Sequence, residues 1–271
     1  MSRRREEMLR ELGLTPVWRL RPAADEPVLE EAPAQPATPV TGHRSPVTAR
    51  EARGNEHPSP IPHPSSRTSE PSERRGQILR IDWRELKARV ASCTDCPLHE
   101  RRKKTVFGVG DENADWLFVG EGPGADEDAQ GEPFVGQAGK LLDNMLAAIK
   151  LKRGENVYIG NIVKCRPPGN RNPTPEEAGA CEPYLARQIA LIQPKLIIAL
   201  GKVAALNLLA REASIASLRG KIHRYQDIPL IITYHPAYLL RNMPDKAKAW
   251  EDLCFAVETM KGLQTQPSAP I

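Results

Sequence analysis

WLFVGEGPGADEDAQGEPFVGQAGKLLDNMLAAI, residues 116–149, carries one complete structural unit of this 271-residue chain. Trp116 to Val119 is an uninterrupted apolar run ended by glycine, the pattern of a strand buried on both faces. Gly120-Glu121-Gly122-Pro123-Gly124 breaks the run, and from Leu141 to Ile149 the apolar side chains fall at helical spacing. The unit therefore reads as strand, glycine loop and helix.

The same alternation continues downstream. Val157 to Val163 reads as a strand, Glu176 to Ile192 as a helix, Leu196 to Leu200 as a strand and Val203 to Leu209 as a helix. Ile222 to Tyr225 and Leu230 to Thr233 read as a hairpin, and Lys246 to Met260 as the closing helix. Repeated β–α units imply an α/β domain with a mostly parallel sheet covered by helices on both faces. Ligands in such folds sit beyond the carboxyl ends of the strands, so the loops after Val119, Ile162, Leu200 and Thr233 are the expected site.

Two helix starts are legible. Thr174 can cap, Pro175 suits the first helical position and Glu177 stands three residues after the cap, which places Cys181 about two turns into that helix. Upstream, Asp82 and Glu85 have capping-box spacing, and Leu86 and Val90 continue one helical face to Cys93.

The 26 prolines are about twice the usual ~5% share, and eleven of them lie between Pro22 and Pro71. Residues 22–76, rich in Pro, Ala, Ser, Glu and Arg, lack the large apolar side chains that would offset the entropy of ordering and read as a disordered linker. The linker separates a short motif in residues 1–21, where Met8, Leu9, Leu12, Trp18 and Leu20 crowd together, from a globular domain at 77–262 and a tail at 263–271. The motif cannot form its own core, so a protein partner for residues 3–21 is one expectation for it.

No stretch approaches the ~18 apolar residues that span a bilayer, and the N-terminus lacks the apolar core of a secretion signal. A cytoplasmic protein with no membrane partner is expected. In that reducing setting the five cysteines read as metal ligands or small buried hydrophobes rather than disulfides. Cys93-x-x-Cys96, Cys165 in the turn after a strand and Cys181 on a helix supply four thiolates, which suit either zinc or a 4Fe-4S cluster, and the spacing does not choose between them. Cys254, among Leu253, Phe255 and Val257, reads as core.

The net charge of +4 is compatible with nucleic acid without requiring it. Aromatic residues, at 5%, are too few for a surface that stacks many bases, although one flipped base needs only one ring. The glycine loop lacks a following Lys-Ser/Thr pair and carries Asp126, Glu127 and Asp128, so it does not read as a nucleoside triphosphate cradle. Its glycines instead let backbone close on a flat ligand, with Phe134 as a stacking surface.

GEGPGADEDAQGEPFVGQAG at 120–139, NIVKCRPP at 161–168 and HPAYLLRN at 235–242, with the four cysteines in register, resemble the thermophile-type, iron–sulfur uracil-DNA glycosylases of family 4. The resemblance covers Cys93 to Met260. It implies a three-layer αβα fold with a central, mostly parallel four-stranded sheet, a 4Fe-4S cluster on Cys93, Cys96, Cys165 and Cys181, and a monomer acting on uracil-containing DNA, single- or double-stranded. It further implies that Phe134 stacks on a flipped uracil beside Gly122, that Asn161 pairs with the uracil edge and that His235 donates to O2 of the leaving base. Glu121 or Glu127 would position water or stabilise the sugar cation, with Glu121 favoured and Glu127 alternatively set against the thymine methyl. Leu239, Leu240 and Arg241 would enter or contact the duplex, and Arg166, Arg171, Arg219 and Lys221 are candidate phosphate contacts. Other classes remain open: a non-catalytic iron–sulfur DNA-binding or polymerase-associated module of the same fold, or a relative trapped covalently on its product. The basic insertion of that last branch is missing near Gly154 to Asn161.

Overall fold

The four apolar runs become the four parallel strands of one sheet in the computed structural model, which describes residues 70–265. The strands are β1 Val109–Gly110, β2 Trp116–Gly120, β3 Val157–Asn161, β4 Leu196–Leu200, β5 His223–Tyr225 and β6 Ile228–Thr233. Their order across the sheet is β1-β3-β2-β4-β6-β5; β2, β3, β4 and β6 are mutually parallel, while β1 and β5 pair antiparallel at the edges.

Side chains alternate between the two faces. Leu117, Val119, Ile197, Ala199, Leu230 and Ile232 meet the helices Trp83–Ala91, Pro175–Ile192 and Lys202–Leu209. Trp116, Phe118, Val157, Ile159, Leu196 and Ile198 meet Gln137–Ala148 and Lys246–Thr265. Burial on both faces is why the strands read as unbroken apolar runs, and each fully buried aliphatic side chain contributes ~1.5–3 kcal/mol relative to exposure. The three-layer αβα arrangement follows. Among the described residues no helix is long and apolar enough to cross a membrane.

Both expected caps form. Asp82 Oδ1 accepts from the Glu85 N–H at 2.8 Å, and Thr174 Oγ1 accepts from the Glu177 N–H at 3.2 Å while the Glu177 carboxylate accepts from the Thr174 N–H at 2.8 Å.

The structure corrects four expectations. The sheet has six strands rather than four, because the parallel core gains two short edges. β1 left no apolar signal: it is two residues long, and at Gly110 (φ +134°) a Cβ would lie 2.1 Å from the Val157 carbonyl oxygen. The helix Glu70–Ile78 occupies the end of the span read as linker, held by fully buried Ile78 and by Arg74, which pairs with Asp95 at 2.7 Å and donates to the Ala180 carbonyl at 2.9 Å. The closing helix runs to Thr265, past the expected boundary at 262, and it exposes Cys254 because Ala249, Leu253, Ala256 and Met260 form its inward face. The N-terminal motif, most of the linker and the end of the tail lie outside the described residues.

From β2 the chain passes to β3 on one side of the sheet, and it later leaves β4 toward β6 on the other. The carboxyl ends of β2 and β4 thus flank the topological switch point, where an open α/β sheet leaves a crevice.

Candidate active site

A cavity of about 620 Å³ occupies that crevice. Glu121, Gly122, Glu127, Phe134, Asn161 and His235 all line it, so the residues expected to read and release a base come together from four separate segments, joined by Arg241.

Asn161 ends β3 and is 2% exposed, and its Oδ1 is buried without a hydrogen-bond partner. A buried acceptor left unpaired costs about 1–3 kcal/mol, so its position is informative. It lies against Gly120, where a Cβ would sit 2.6 Å from Asn161 Oδ1 and 2.6 Å from Phe134 Cζ. The missing side chain lets Asn161 and Phe134 approach the β2 end this closely.

Phe134 takes a left-handed backbone, φ 55°, which costs on the order of 1 kcal/mol outside glycine. Arg153 holds it there by donating to the Pro133 carbonyl at 2.9 Å and the Phe134 carbonyl at 2.8 Å. Gly139 permits it, since a Cβ there would fall 1.8 Å from the Phe134 oxygen. Neither brace was legible in the sequence, because neither residue lies in the cavity.

His235 caps the helix Pro236–Arg241: its Nδ1 accepts from the Ala237 N–H at 3.1 Å. In the neutral ring the proton must then be on Nε2, which makes Nε2 a donor. Burial, reinforced by Arg241 and opposed by Glu127, pushes the imidazole pKa down to about 4. The ring stacks on Phe134 with centroids 5.5 Å apart. Gly201 at the end of β4, φ +90°, lies behind it, and a Cβ there would come 2.8 Å from His235 Cβ. Gly201→Ala should cost about 1–3 kcal/mol in thermal or denaturant unfolding and displace His235, lowering turnover more than binding; unchanged stability and turnover would contradict this packing.

The two candidate carboxylates differ in their surroundings. Glu127 accepts from the N–H groups of Gly124 (3.0 Å), Val135 (3.0 Å) and Gly136 (3.1 Å), so it braces the two ends of the glycine loop. Glu121 has no such partners, and burial alone pushes its carboxyl up.

Of the expected DNA contacts, Arg241 is exposed on the cavity rim and Leu240 is 42% exposed, but Leu239 is 1% exposed and belongs to the core with Leu141 and Leu253. The wedge role expected of Leu239 is therefore corrected: it is one helical position out of phase with the surface. Arg166 lies off the cavity and bonds Asn170 Oδ1 at 2.7 Å. Arg171 is engaged by Glu177, and Arg219 by Asp252 and the Lys248 carbonyl.

Cys93, Cys96, Cys165 and Cys181 line a second, small cavity below the β3 loop. Burial pushes all four thiols up, Cys181 to about 12, so a bound metal would have to drive their ionisation. Donors are already present: Arg102 reaches Cys165 Sγ at 3.2 Å and the Lys164 N–H reaches Cys181 Sγ at 3.3 Å. Among the described residues no three His, Cys, Asp or Glu side chains are grouped as ligands of a single ion. Lys164, whose role the sequence did not disclose, connects the two cavities. Its buried ammonium donates to the Asn161 carbonyl at 2.9 Å and to Gln188 Oε1 at 2.7 Å, and burial lowers its pKa to about 8.

Residues 107–254 match the uracil DNA glycosylase superfamily. The chain is 49% identical over 159 residues to a type-4 uracil-DNA glycosylase of Archaeoglobus fulgidus, covering 56% of this chain and 79% of the relative. It is 47% identical over 162 residues to the type-4 uracil-DNA glycosylase of Thermotoga maritima, 59% and 84% of the two chains. Over 183 residues it is 42% identical to that of Pyrobaculum aerophilum, 65% and 93%.

Proposed function

Since the chain belongs to the type-4 uracil-DNA glycosylases of the uracil DNA glycosylase superfamily, we propose that it flips uracil out of DNA and hydrolyses its N-glycosidic bond. Free uracil and an abasic site are the products. The observation that carries this reading is the pairing, in one cavity, of an unpartnered Asn161 Oδ1 with a neutral His235.

Asn161 accepts from uracil N3–H and donates to O4, a pattern that cytosine cannot meet because its N3 has no proton and its C4 carries an amine. Phe134 stacks on the base, which has to leave the duplex to enter the cavity. As the bond from the sugar to N1 breaks, charge gathers on uracil O2, where the His235 Nε2–H stabilises the transition state more than the ground state. Water adds to the sugar carbon and gives up a proton, and the departing uracil anion takes one up, leaving free uracil and a hydroxyl on the sugar. Glu121, the cavity carboxylate with no backbone donors, orients that water and balances the cationic sugar, while Glu127 keeps the loop closed. Leu240 fills the gap left by the base and Arg241 contacts the backbone.

The four thiols would hold a 4Fe-4S cluster, which would supply a structural tie among the Cys93 segment, the β3 loop and the Cys181 helix. What supports a cluster at this place is the donor set: four cysteine thiols lining one small cavity.

The full chain with its cluster intact should convert an end-labelled oligonucleotide containing one uracil into an alkali-labile product, with free uracil detected chromatographically. The protein should carry iron and sulfide near four of each per chain. Binding without release of uracil by iron-replete protein would overturn the enzymatic reading, and zinc in place of iron after anaerobic purification would overturn the cluster.

A further inference from the structure

We infer that Arg101-Arg102-Lys103-Lys104 forms a preorganised hook that grips DNA phosphates beside the base cavity, an inference that rests on the DNA reading above. Arg101, Lys103 and Lys104 are exposed, and among the described residues none of them is in an ion pair. Arg102 points the other way: it donates to the Cys93 carbonyl at 2.7 Å, the Ala91 carbonyl at 3.3 Å and Cys165 Sγ at 3.2 Å. Arg102 thus anchors the segment to the cysteine cavity and leaves three cations outside, of which Lys104 also donates through Nζ to the Gln130 carbonyl at 3.4 Å.

The backbone is fixed as well. Asp128, 2% exposed, accepts the N–H groups of Lys103 at 2.8 Å and Lys104 at 3.4 Å through Oδ1. Asp128 belongs to the helix Ala125–Gln130, the one whose Glu127 braces the cavity loop. Lys103 and Lys104 thus hang on the residue next to Glu127, which lines the cavity. Glu127 and Asp128 turn their carboxylates inward onto backbone N–H groups of the cavity loop and of the basic segment. Cations on a backbone that is already ordered bind phosphate with little further entropic cost.

The test is the salt dependence of binding to undamaged and uracil-containing duplex by the full, cluster-loaded chain. Each lost contact should flatten the slope of log affinity against log salt by about 0.9, so R101A/K103A/K104A should flatten it by two to three and K103A/K104A by about two. Both should keep parental iron content and melting temperature. Asp128→Ala, which removes no cation, should also flatten the slope, whereas Asp128→Asn should restore it by keeping the acceptor. A parental slope in the triple variant would overturn the hook. If the parent binds and excises uracil normally in that same experiment, the proposed function stands; a parent that neither binds nor excises would overturn both.

Discussion

His235→Ala should lower kcat for uracil release by about 10²–10³ with little change in DNA affinity, the loss expected for one donor aimed at developing negative charge. The donor is the Nε2–H of a neutral ring, because Nδ1 is committed to the Ala237 N–H. The pKa gives the pH window. The folded value, about 4, lies below the ~6.5 of an unfolded histidine, so the folded state holds fewer protons on this group between those values. The stability it contributes is complete above about pH 6.5 and is lost as pH falls through about 4. The catalytically competent neutral ring persists over the same range, so single-turnover rates should show no inflection near pH 6.5 that His235→Ala abolishes. A rate that rises as pH drops through 6.5, and does so only in the parent, would mean that the imidazolium is the active form. Loss of the helix cap adds ~1 kcal/mol of destabilisation, a few degrees in melting temperature, too little to unfold the protein and mimic the effect.

The parts of this fold that sequence discloses are those governed by local chemistry. The strands β2, β3, β4 and β6 were legible because both their faces are buried and glycine or a cap punctuates them, and the caps at Asp82 and Thr174 because their bonds join residues three apart. The cavity residues were legible for the same reason, lying where strand ends meet glycine-rich loops. What escaped depends on distant partners. Nothing near Arg153 shows that it will hold Phe134 in a left-handed turn, nor does anything near Lys164 show that its ammonium will end on the Asn161 carbonyl. Leu239 and Leu240 are chemically identical, so only the phase of the helix against Leu141 and Leu253 decides which is buried. Glu121 and Glu127 likewise look alike in the loop; their roles separate only when three backbone N–H groups converge on Glu127.

Asn161→Ala should lower kcat/KM for uracil-DNA by about 100-fold or more and weaken discrimination against cytosine. Two edge hydrogen bonds in a site shielded from water are lost, each worth about 1–3 kcal/mol when its partner on the base is left unpaired. Asn161 Oδ1 has no hydrogen-bond partner within the protein, so removing it costs the fold no such bond. The variant should therefore be as stable as the parent or slightly more so, which separates it from variants that fail by unfolding. Lys164 makes this separation clean: its ammonium bonds the backbone carbonyl of Asn161, not the side chain, so the strand end and the cysteine cavity beneath it keep their geometry when the amide is removed. Iron content and melting temperature should stay at parental values while excision collapses. Parental kcat/KM in Asn161→Ala would show that the base is read elsewhere in the cavity, and loss of iron together with activity would show that Asn161 supports the fold rather than the substrate.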